Sequence, residues 1–144
     1  MDVPLRMRHC FVMDSSQDRN QVKRQLLCVV VDDDESVRES LPDLLREFGF
    51  AARAFSSAQE FLSSGCAGEI SCLILDVAMP GMSGPELQQE LKRLGREIPI
   101  IFITGKKDES IRAQVLEQGA AGYLVKPFSD TSLLKALNTA LGLD

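Results

Sequence analysis

Short apolar runs recur along the chain, and most of them end at a polar or charged residue. Four uniform runs cover residues 26–31, 72–75, 98–103 and 123–125, and a weaker fifth run covers residues 51–55. Runs this uniform predict strands that are buried on both faces, which is typical of a parallel sheet. The pattern therefore predicts a five-stranded sheet in the interior of one domain.

Apolar residues at helical spacing fill the segments between these runs. In the first segment they form one helix face, made of Val37, Leu41, Leu44, Leu45 and Phe48. Gly49 follows and is predicted to end that helix. Pro42 falls inside it and is expected either to kink the helix or to restrict its start, because proline lacks the amide hydrogen that an interior helical residue donates.

A serine followed three residues later by a glutamate marks the predicted start of three helices. Each side chain in such a pair can bond the backbone amide of the other residue. The pairs are Ser36 with Glu39, Ser57 with Glu60, and Ser83 with Glu86. The two remaining helices are predicted to start near Asp108 and at Ser129 or Asp130, and to end near Gly119 and Leu141.

The alternation of strand and helix occurs five times and predicts an α/β fold, a parallel sheet wound on both faces. Right-handed crossovers between parallel strands place the helices on the two sides of such a sheet. Residues 26–144 hold the whole pattern and are predicted to form the domain. Residues 1–25 are polar without a period, and we expect a tail that is partly disordered or contains an extra helical turn.

Composition and charge narrow the classes of function. With 144 residues, of which 44% are apolar, the chain suits one soluble domain with a core. The net charge of −5 argues against direct nucleic-acid binding. No apolar run approaches the roughly 20 residues of a membrane span, and neither a span nor a signal peptide is expected. Cys28 and Cys72 lie inside apolar runs, which predicts buried thiols and a reducing, cytoplasmic location.

Polar residues that could carry chemistry collect at the ends of the predicted strands. Ligands of an open parallel sheet bind at the carboxyl ends of its strands, near the point where the strand order reverses. If the strands concerned are neighbours, the side chains at their ends meet in one shallow pocket. These side chains are Asp32, Asp33 and Asp34 after the first strand, Asp76 after the third, Thr104 after the fourth and Lys126 after the fifth.

Carboxylates held this close repel one another, and a divalent cation would offset the repulsion. A few oxygen ligands favour Mg²⁺, which we expect near Asp33 and Asp76. An aspartate carboxylate is also a nucleophile toward phosphorus, and the Lys126 ammonium and Thr104 hydroxyl could stabilise a transferring phosphoryl group. Each residue alone has a simpler explanation, such as a loop cap or a solvated charge. Their common place at strand ends favours a phosphoryl site.

Four segments carry a resemblance to a known family. They are Val29–Asp34, Leu73–Gly84, Pro99–Gly105 and Gly122–Phe128. Residues 26–141 resemble the receiver domain of bacterial two-component response regulators. Within them, Asp33–Leu41 and Phe55–Leu62 are most similar to receivers that precede a LuxR-type DNA-binding domain. The resemblance implies a flavodoxin-like (βα)5 fold with strand order 2-1-3-4-5.

The resemblance also implies a role for each residue of the pocket. Asp76 matches the phosphoacceptor, and Lys126 and Thr104 match the lysine and switch hydroxyl that act with it. Tyr123 matches the aromatic residue that swings inward when Thr104 moves, and the Lys126–Pro127 peptide bond is expected to be cis. The Mg²⁺ ligands would be Asp32, largely through water, Asp33, Asp76 and the backbone carbonyl of Ala78.

Partners follow from the same resemblance. A histidine kinase or a phosphotransfer protein would supply the phosphoryl group. The fourth helix, fifth strand and fifth helix would form a homodimer or target surface. The chain would catalyse only its own phosphotransfer and dephosphorylation. Ala78 and Lys106 occupy variable positions that flank the phosphoryl group in this family. Ala78 cannot hold a water by hydrogen bonding, so autodephosphorylation is not expected to be fast.

Two alternatives stay open at this stage. One is a phosphohydrolase with an aspartate nucleophile, although such enzymes usually place a second aspartate where Ala78 stands. The other is a receiver-like interaction module that is not phosphorylated.

Overall fold

The computed structural model describes residues 26–143. The tail predicted for residues 1–25 lies outside the described residues. Within them, five strands alternate with five helices, as the sequence pattern predicts. The strands are β1 Leu27–Val31, β2 Ala51–Phe55, β3 Cys72–Asp76, β4 Ile100–Thr104 and β5 Gly122–Val125. The helices are α1 Glu35–Glu47, α2 Ala58–Ser63, α3 Gly84–Arg93, α4 Glu109–Glu117 and α5 Asp130–Leu141, with a 3-10 turn at Cys66–Gly68.

The five strands form one parallel sheet in the order β2-β1-β3-β4-β5. This order confirms the doubly wound, flavodoxin-like fold. It places β1 and β3 side by side in the middle, with the strand order reversing between them, and it brings the carboxyl ends of β1, β3, β4 and β5 to one edge. The polar residues of the site are therefore attached to neighbouring strands.

Burial of the strands agrees with the prediction except at β5. Every residue of β3 and β4 is buried. All four residues of β5 are partly exposed, so complete burial was a wrong prediction for this strand. The physical reason is its position, because β5 is an edge strand paired with β4 alone.

Two apolar cores cover the two faces of the sheet. Alternate residues of β1 face opposite sides, with Val29 and Val31 in one core and Cys28 and Val30 in the other. Cys72 lies beside Cys28 in the register of β1 and β3, and both thiols are buried as predicted. Burial raises the pKa of the Cys72 thiol to about 12, so it stays protonated at neutral pH.

The observed N-terminus of α1 corrects one prediction, and that of α3 confirms another. Helix α1 begins earlier than expected, because Asp34 and not Ser36 is its N-cap, with the Asp34 carboxylate accepting from the Ser36 amide at 2.9 Å. Aspartate one residue ahead of the helix is an equally good cap, and it competed with the serine signature. At α3, Ser83 and Glu86 form the reciprocal pair that the sequence predicts.

The other caps fall at predicted residues. Ser57 caps α2 by accepting from the Glu60 amide, but the Glu60 carboxylate accepts from Ser56 rather than Ser57, so the pair is not reciprocal. Asp108 caps α4. Ser129, one of the two candidates, caps α5.

Pro42 lies buried inside α1, which continues on both sides of it. A restricted helix start is excluded, because the helix begins at Glu35, seven positions upstream. The missing amide hydrogen leaves the carbonyl of Arg38 without its usual helical donor.

None of the helices between residues 26 and 143 is both long enough and apolar enough to cross a membrane.

Candidate functional site

The carboxyl ends of the central strands surround one open pocket. The polar residues that were predicted to meet at this edge all line the pocket. The complete lining is Asp32, Asp33, Asp34, Asp76, Ala78, Thr104, Gly105, Lys106 and Lys126. Tyr123 lies nearby on β5 but is not part of the lining.

Asp32 is the most constrained residue of the pocket, and it is fully buried. Its amide donates to the Phe55 carbonyl at 3.1 Å, and its own carbonyl accepts from Nη1 of Arg38 at 3.1 Å. One carboxylate oxygen accepts from the Asp34 amide at 2.9 Å, and the other accepts from Nζ of Lys126 at 2.9 Å. Backbone and side chain of this residue are both held in place.

Asp76 is the last residue of β3 and is 6% exposed. Its Oδ1 lies 3.7 Å from Nζ of Lys126. The segment after it folds back closely, because the Gly84 amide donates to the Val77 carbonyl at 2.9 Å. A Cβ at Gly84 would lie 2.3 Å from the Asp76 carbonyl oxygen, so only glycine fits there. The chain thus returns close to the backbone of Asp76.

The charges of the pocket oppose ionisation of Asp76. Burial, the Asp32 carboxylate and, to a smaller extent, the Asp33 carboxylate raise the pKa of Asp76 to about 7, although the Lys126 ammonium acts in the opposite direction. For Lys126, burial alone would lower the pKa, but its hydrogen bond to Asp32 and the charges of Asp32 and Asp76 outweigh burial and raise it. The lysine therefore stays charged at neutral pH, whereas the pocket disfavours the ionised form of Asp76.

Three carboxylates could serve as ligands to a cation. Asp32, Asp33 and Asp76 each offer an oxygen atom, and these atoms lie within 4.8 Å of one another. Asp33 is exposed, whereas the other two are buried. An oxygen-only set with excess negative charge and an open side toward solvent fits Mg²⁺, which retains several waters. The raised pKa of Asp76 reflects burial and the same repulsion, part of which a bound cation would relieve.

Thr104 is the last residue of β4 and is buried. Its hydroxyl lies 3.2 Å from both the carbonyl oxygen and the amide nitrogen of Lys106, so it donates to one and accepts from the other. The hydroxyl is therefore engaged with its own loop.

Tyr123 is partly exposed on β5. Its hydroxyl donates to the backbone carbonyl of Asp108 at 3.4 Å, the residue that caps α4. The phenol thus connects the edge strand to the start of α4. The Lys126–Pro127 peptide bond that follows this strand is cis, as expected.

No pattern in the sequence points to Arg38, although its guanidinium donates to the backbone carbonyl of Asp32. The contact crosses the turn between β1 and α1 and becomes visible only once the start of α1 is known. With the helix beginning at Glu35, Arg38 lies one turn in, where a long side chain directed toward the helix start reaches the loop.

Comparison with known proteins agrees with this geometry. The model of the family described as response regulator receiver domain matches residues 28–138. The response regulator protein TodT of Pseudomonas putida is 42% identical over 125 residues, covering 87% of this chain and 55% of TodT. The transcriptional regulatory protein FixJ of Azorhizobium caulinodans is 41% identical over 113 residues, covering 78% of this chain and 54% of FixJ.

A solved structure described as FixJ-N superposes with a TM-score of 0.74 at 37% identity, covering 81% of this chain and 94% of that one. The chain spans about half the length of the curated relatives TodT and FixJ. The matched family, the parallel sheet and the acidic pocket at its carboxyl edge agree with one another. This chain belongs to the response regulator receiver domain family.

Proposed function

We propose that this chain is a phosphorylatable receiver that takes a phosphoryl group onto Asp76 from a histidine kinase or a phosphotransfer protein. The observation that carries the proposal is the Asp76 carboxylate, which lies in the pocket with Lys126 at 3.7 Å and two further carboxylates beside it. A carboxylate nucleophile, a fixed ammonium and a cation site are the groups that acyl-phosphate formation requires.

In the proposed reaction, a carboxylate oxygen of Asp76 forms a bond to phosphorus as the bond from phosphorus to the donor's leaving atom breaks. The leaving group keeps the bonding electrons and takes up a proton from solvent. Lys126 supplies positive charge to the transferred phosphoryl oxygens. Bound Mg²⁺ would neutralise negative charge on the carboxylates and the phosphoryl group.

The residues proposed to hold Mg²⁺ are Asp33 and Asp76, with the backbone carbonyl of Ala78 as the third ligand and Asp32 acting largely through water. The buried Asp32 is held by Lys126 and the Asp34 amide, which suits a residue that orients the site. Asp33, being exposed, is the carboxylate best placed to meet a hydrated cation.

Phosphorylation adds roughly −1.5 to −2 charges and strong acceptor oxygens. The Thr104 hydroxyl is proposed to leave its bonds with Lys106 and to donate to the phosphoryl group. The space it leaves would admit the ring of Tyr123, whose hydroxyl would then release the Asp108 carbonyl. A change of this kind would alter the surface formed by α4, β5 and α5.

We propose that this surface, α4-β5-α5, binds a target or a second copy of the chain. FixJ, one of the relatives, carries the name transcriptional regulatory protein, and this chain matches only about half of it. A receiver of this kind would control a separate output domain, for which a LuxR-type DNA-binding domain is our proposal. The negative net charge argues against direct DNA binding by the receiver itself.

Acetyl phosphate tests the proposed function without the unknown kinase. In the presence of Mg²⁺, intact-mass spectrometry should show one phosphoryl group gained per chain, labile to hydroxylamine as an acyl phosphate is. Omitting Mg²⁺ or introducing Asp76→Asn should abolish the gain. Continuous release of phosphate from phosphate esters, without a stable adduct, would instead favour a phosphohydrolase, and no modification would favour an interaction module.

Ala78 gives a prediction about the lifetime of the adduct. It is exposed at the pocket, and its methyl group offers no hydrogen bond to an attacking water. Ala78→Asn is therefore expected to shorten the acyl-phosphate lifetime several-fold, measured by loss of the mass gain after the donor is removed. Ala51→Asn, at an exposed position of β2, should leave the lifetime unchanged. An equal or longer lifetime in Ala78→Asn would contradict this role.

A further inference from the structure

Arg38 makes a contact with the site that the roles proposed so far do not use. It lies one turn into α1, is half-buried, and directs Nη1 to the backbone carbonyl of Asp32 at 3.1 Å. The guanidinium therefore reaches back across the turn between β1 and α1. Arg38 is not among the residues that line the pocket, and its contact with the site is through the backbone of Asp32.

The carbonyl that Arg38 holds belongs to the peptide group between Asp32 and Asp33. A peptide group is planar, so fixing the direction of its carbonyl also fixes the direction in which the chain leaves toward Asp33. The other three contacts of Asp32 hold its amide and its carboxylate. The Arg38 bond is thus the contact that holds the Asp32–Asp33 peptide group directly, whereas the bond from the Asp34 amide holds the chain beyond Asp33.

Asp33 depends on such a restraint more than its neighbour does. Asp32 and Asp76 are buried in the pocket, whereas the Asp33 side chain is exposed to solvent. An exposed carboxylate keeps its rotamer freedom, and ordering both its side chain and the backbone beneath it costs free energy when a ligand binds. A fixed backbone lowers that cost.

We propose that Arg38 is a positioning residue for the cation site, which presents the Asp33 carboxylate toward Asp76 by holding the Asp32–Asp33 peptide group. This inference rests on the proposed function, because it assumes that the three carboxylates bind Mg²⁺. It adds to that function a residue outside the acidic cluster that sets the affinity of the site.

The charge of Arg38 and its hydrogen bond have opposite effects on Mg²⁺ affinity. A guanidinium near a cation site repels the cation, so if only its charge mattered, removing it would strengthen Mg²⁺ binding. Positioning has the opposite consequence, because loss of the hydrogen bond frees the peptide group and weakens binding. The direction of the change therefore separates the two effects.

The experiment compares Mg²⁺ binding by Arg38→Met, Arg38→Lys and a matched control. Arg46 lies on the same helix and also donates to a backbone carbonyl, that of Ala52 at 3.0 Å, but at the opposite end of the strands. Arg46→Met therefore removes a similar bond from a side chain of α1 to a backbone carbonyl, together with an exposed ion pair to Asp43, away from the pocket. Dissociation constants are measured by following backbone amide signals in an NMR titration with MgCl₂, without any phosphodonor.

Arg38→Met should weaken Mg²⁺ binding about tenfold, the lower end of the effect of residues that orient metal ligands. Arg38→Lys, which keeps a charged donor, should recover most of the affinity. Arg46→Met should bind Mg²⁺ as the unmodified protein does, even if it lowers the midpoint of thermal unfolding as much as Arg38→Met does. If Arg38→Met does not fold, Arg38→Leu, which also lacks a donor, takes its place with the same expectation.

Unchanged or tighter binding in Arg38→Met would overturn the inference, and so would an equal loss in Arg46→Met. Either result would leave the proposed function standing, because the unmodified protein would still bind Mg²⁺. Failure of the unmodified protein to show saturable binding at Asp33 and Asp76 would overturn both.

Discussion

Asp76→Asn is expected to stabilise the metal-free protein at pH 8 by about 2 kcal/mol, although it removes the residue that the proposed function requires. The reason is the pKa of Asp76, which burial and the neighbouring carboxylates raise to about 7. Above that pH the folded protein must hold the carboxylate ionised in a pocket that disfavours the charge. Asparagine has nearly the same shape and carries no charge, so the variant avoids this cost.

The stabilisation should depend on pH in a defined direction. Between its usual value near 4 and about 7, Asp76 binds more protons in the folded state than in the unfolded state. The folded protein therefore loses stability as the pH rises through this window, and the loss is complete above it. Asp76→Asn lacks this dependence, so the gain should be close to zero at pH 4 and should reach its plateau near pH 8.

Urea unfolding at a series of pH values, in the presence of EDTA, measures this effect. Asp43→Asn is the matched control, since the Asp43 side chain is 75% exposed and its substitution should change stability by less than about 0.5 kcal/mol at each pH. Addition of Mg²⁺ should reduce the difference between the unmodified protein and Asp76→Asn. A destabilised Asp76→Asn at pH 8 would show that the pocket favours the carboxylate, contrary to the electrostatics described above.

Lys126→Met is expected to have the opposite effect and to destabilise the protein by about 2 kcal/mol at pH 7. Its ammonium lies 2.9 Å from Oδ2 of Asp32, whose side chain is fully buried, and 3.7 Å from Oδ1 of Asp76. Removing one partner leaves a buried carboxylate without its counter-charge. The lysine itself is 24% exposed, so solvent compensates part of the loss and the effect should lie below that of a fully buried pair.

A double-mutant cycle identifies the partner that dominates. Because the bond to Asp32 is the shorter one, most of the cost of Lys126→Met should persist in the Asp76→Asn background. Lys106→Met, at another lysine of the same pocket, should change stability little. A cost that disappears in the Asp76→Asn background would instead make Asp76 the principal partner.

The Lys126→Met variant should also be phosphorylated far more slowly, because the developing negative charge on the phosphoryl group loses the lysine ammonium that stabilises it.

The fold followed from the sequence because its strongest signals are local and repeated. Uniform apolar runs predicted β1, β3 and β4, and these strands lie fully or almost fully in the interior. Alternation with amphipathic helices then leaves few possible topologies. The exposure of β5 did not follow, because a run of apolar residues does not reveal whether a strand has one neighbour or two.

Part of the candidate site could also be predicted from the sequence, because its residues follow the same apolar runs. Each polar residue at the end of an apolar strand was visible in the sequence, and parallel neighbours bring such residues together. Asp34 as the cap of α1 was missed, because a serine with a matching glutamate offered an equally plausible start two residues later. Arg38 was missed because its partner is a backbone carbonyl, which no side-chain pattern encodes.

The most direct test of the account is to locate the phosphoryl group after reaction with acetyl phosphate and Mg²⁺. Borohydride reduces the acyl phosphate of an aspartate to homoserine, which peptide mass spectrometry assigns to a single residue. Homoserine is expected at position 76 alone, and none is expected when Mg²⁺ is omitted. An unmodified Asp76 in chains that carry a phosphoryl group, or modification at another carboxylate, would contradict this expectation.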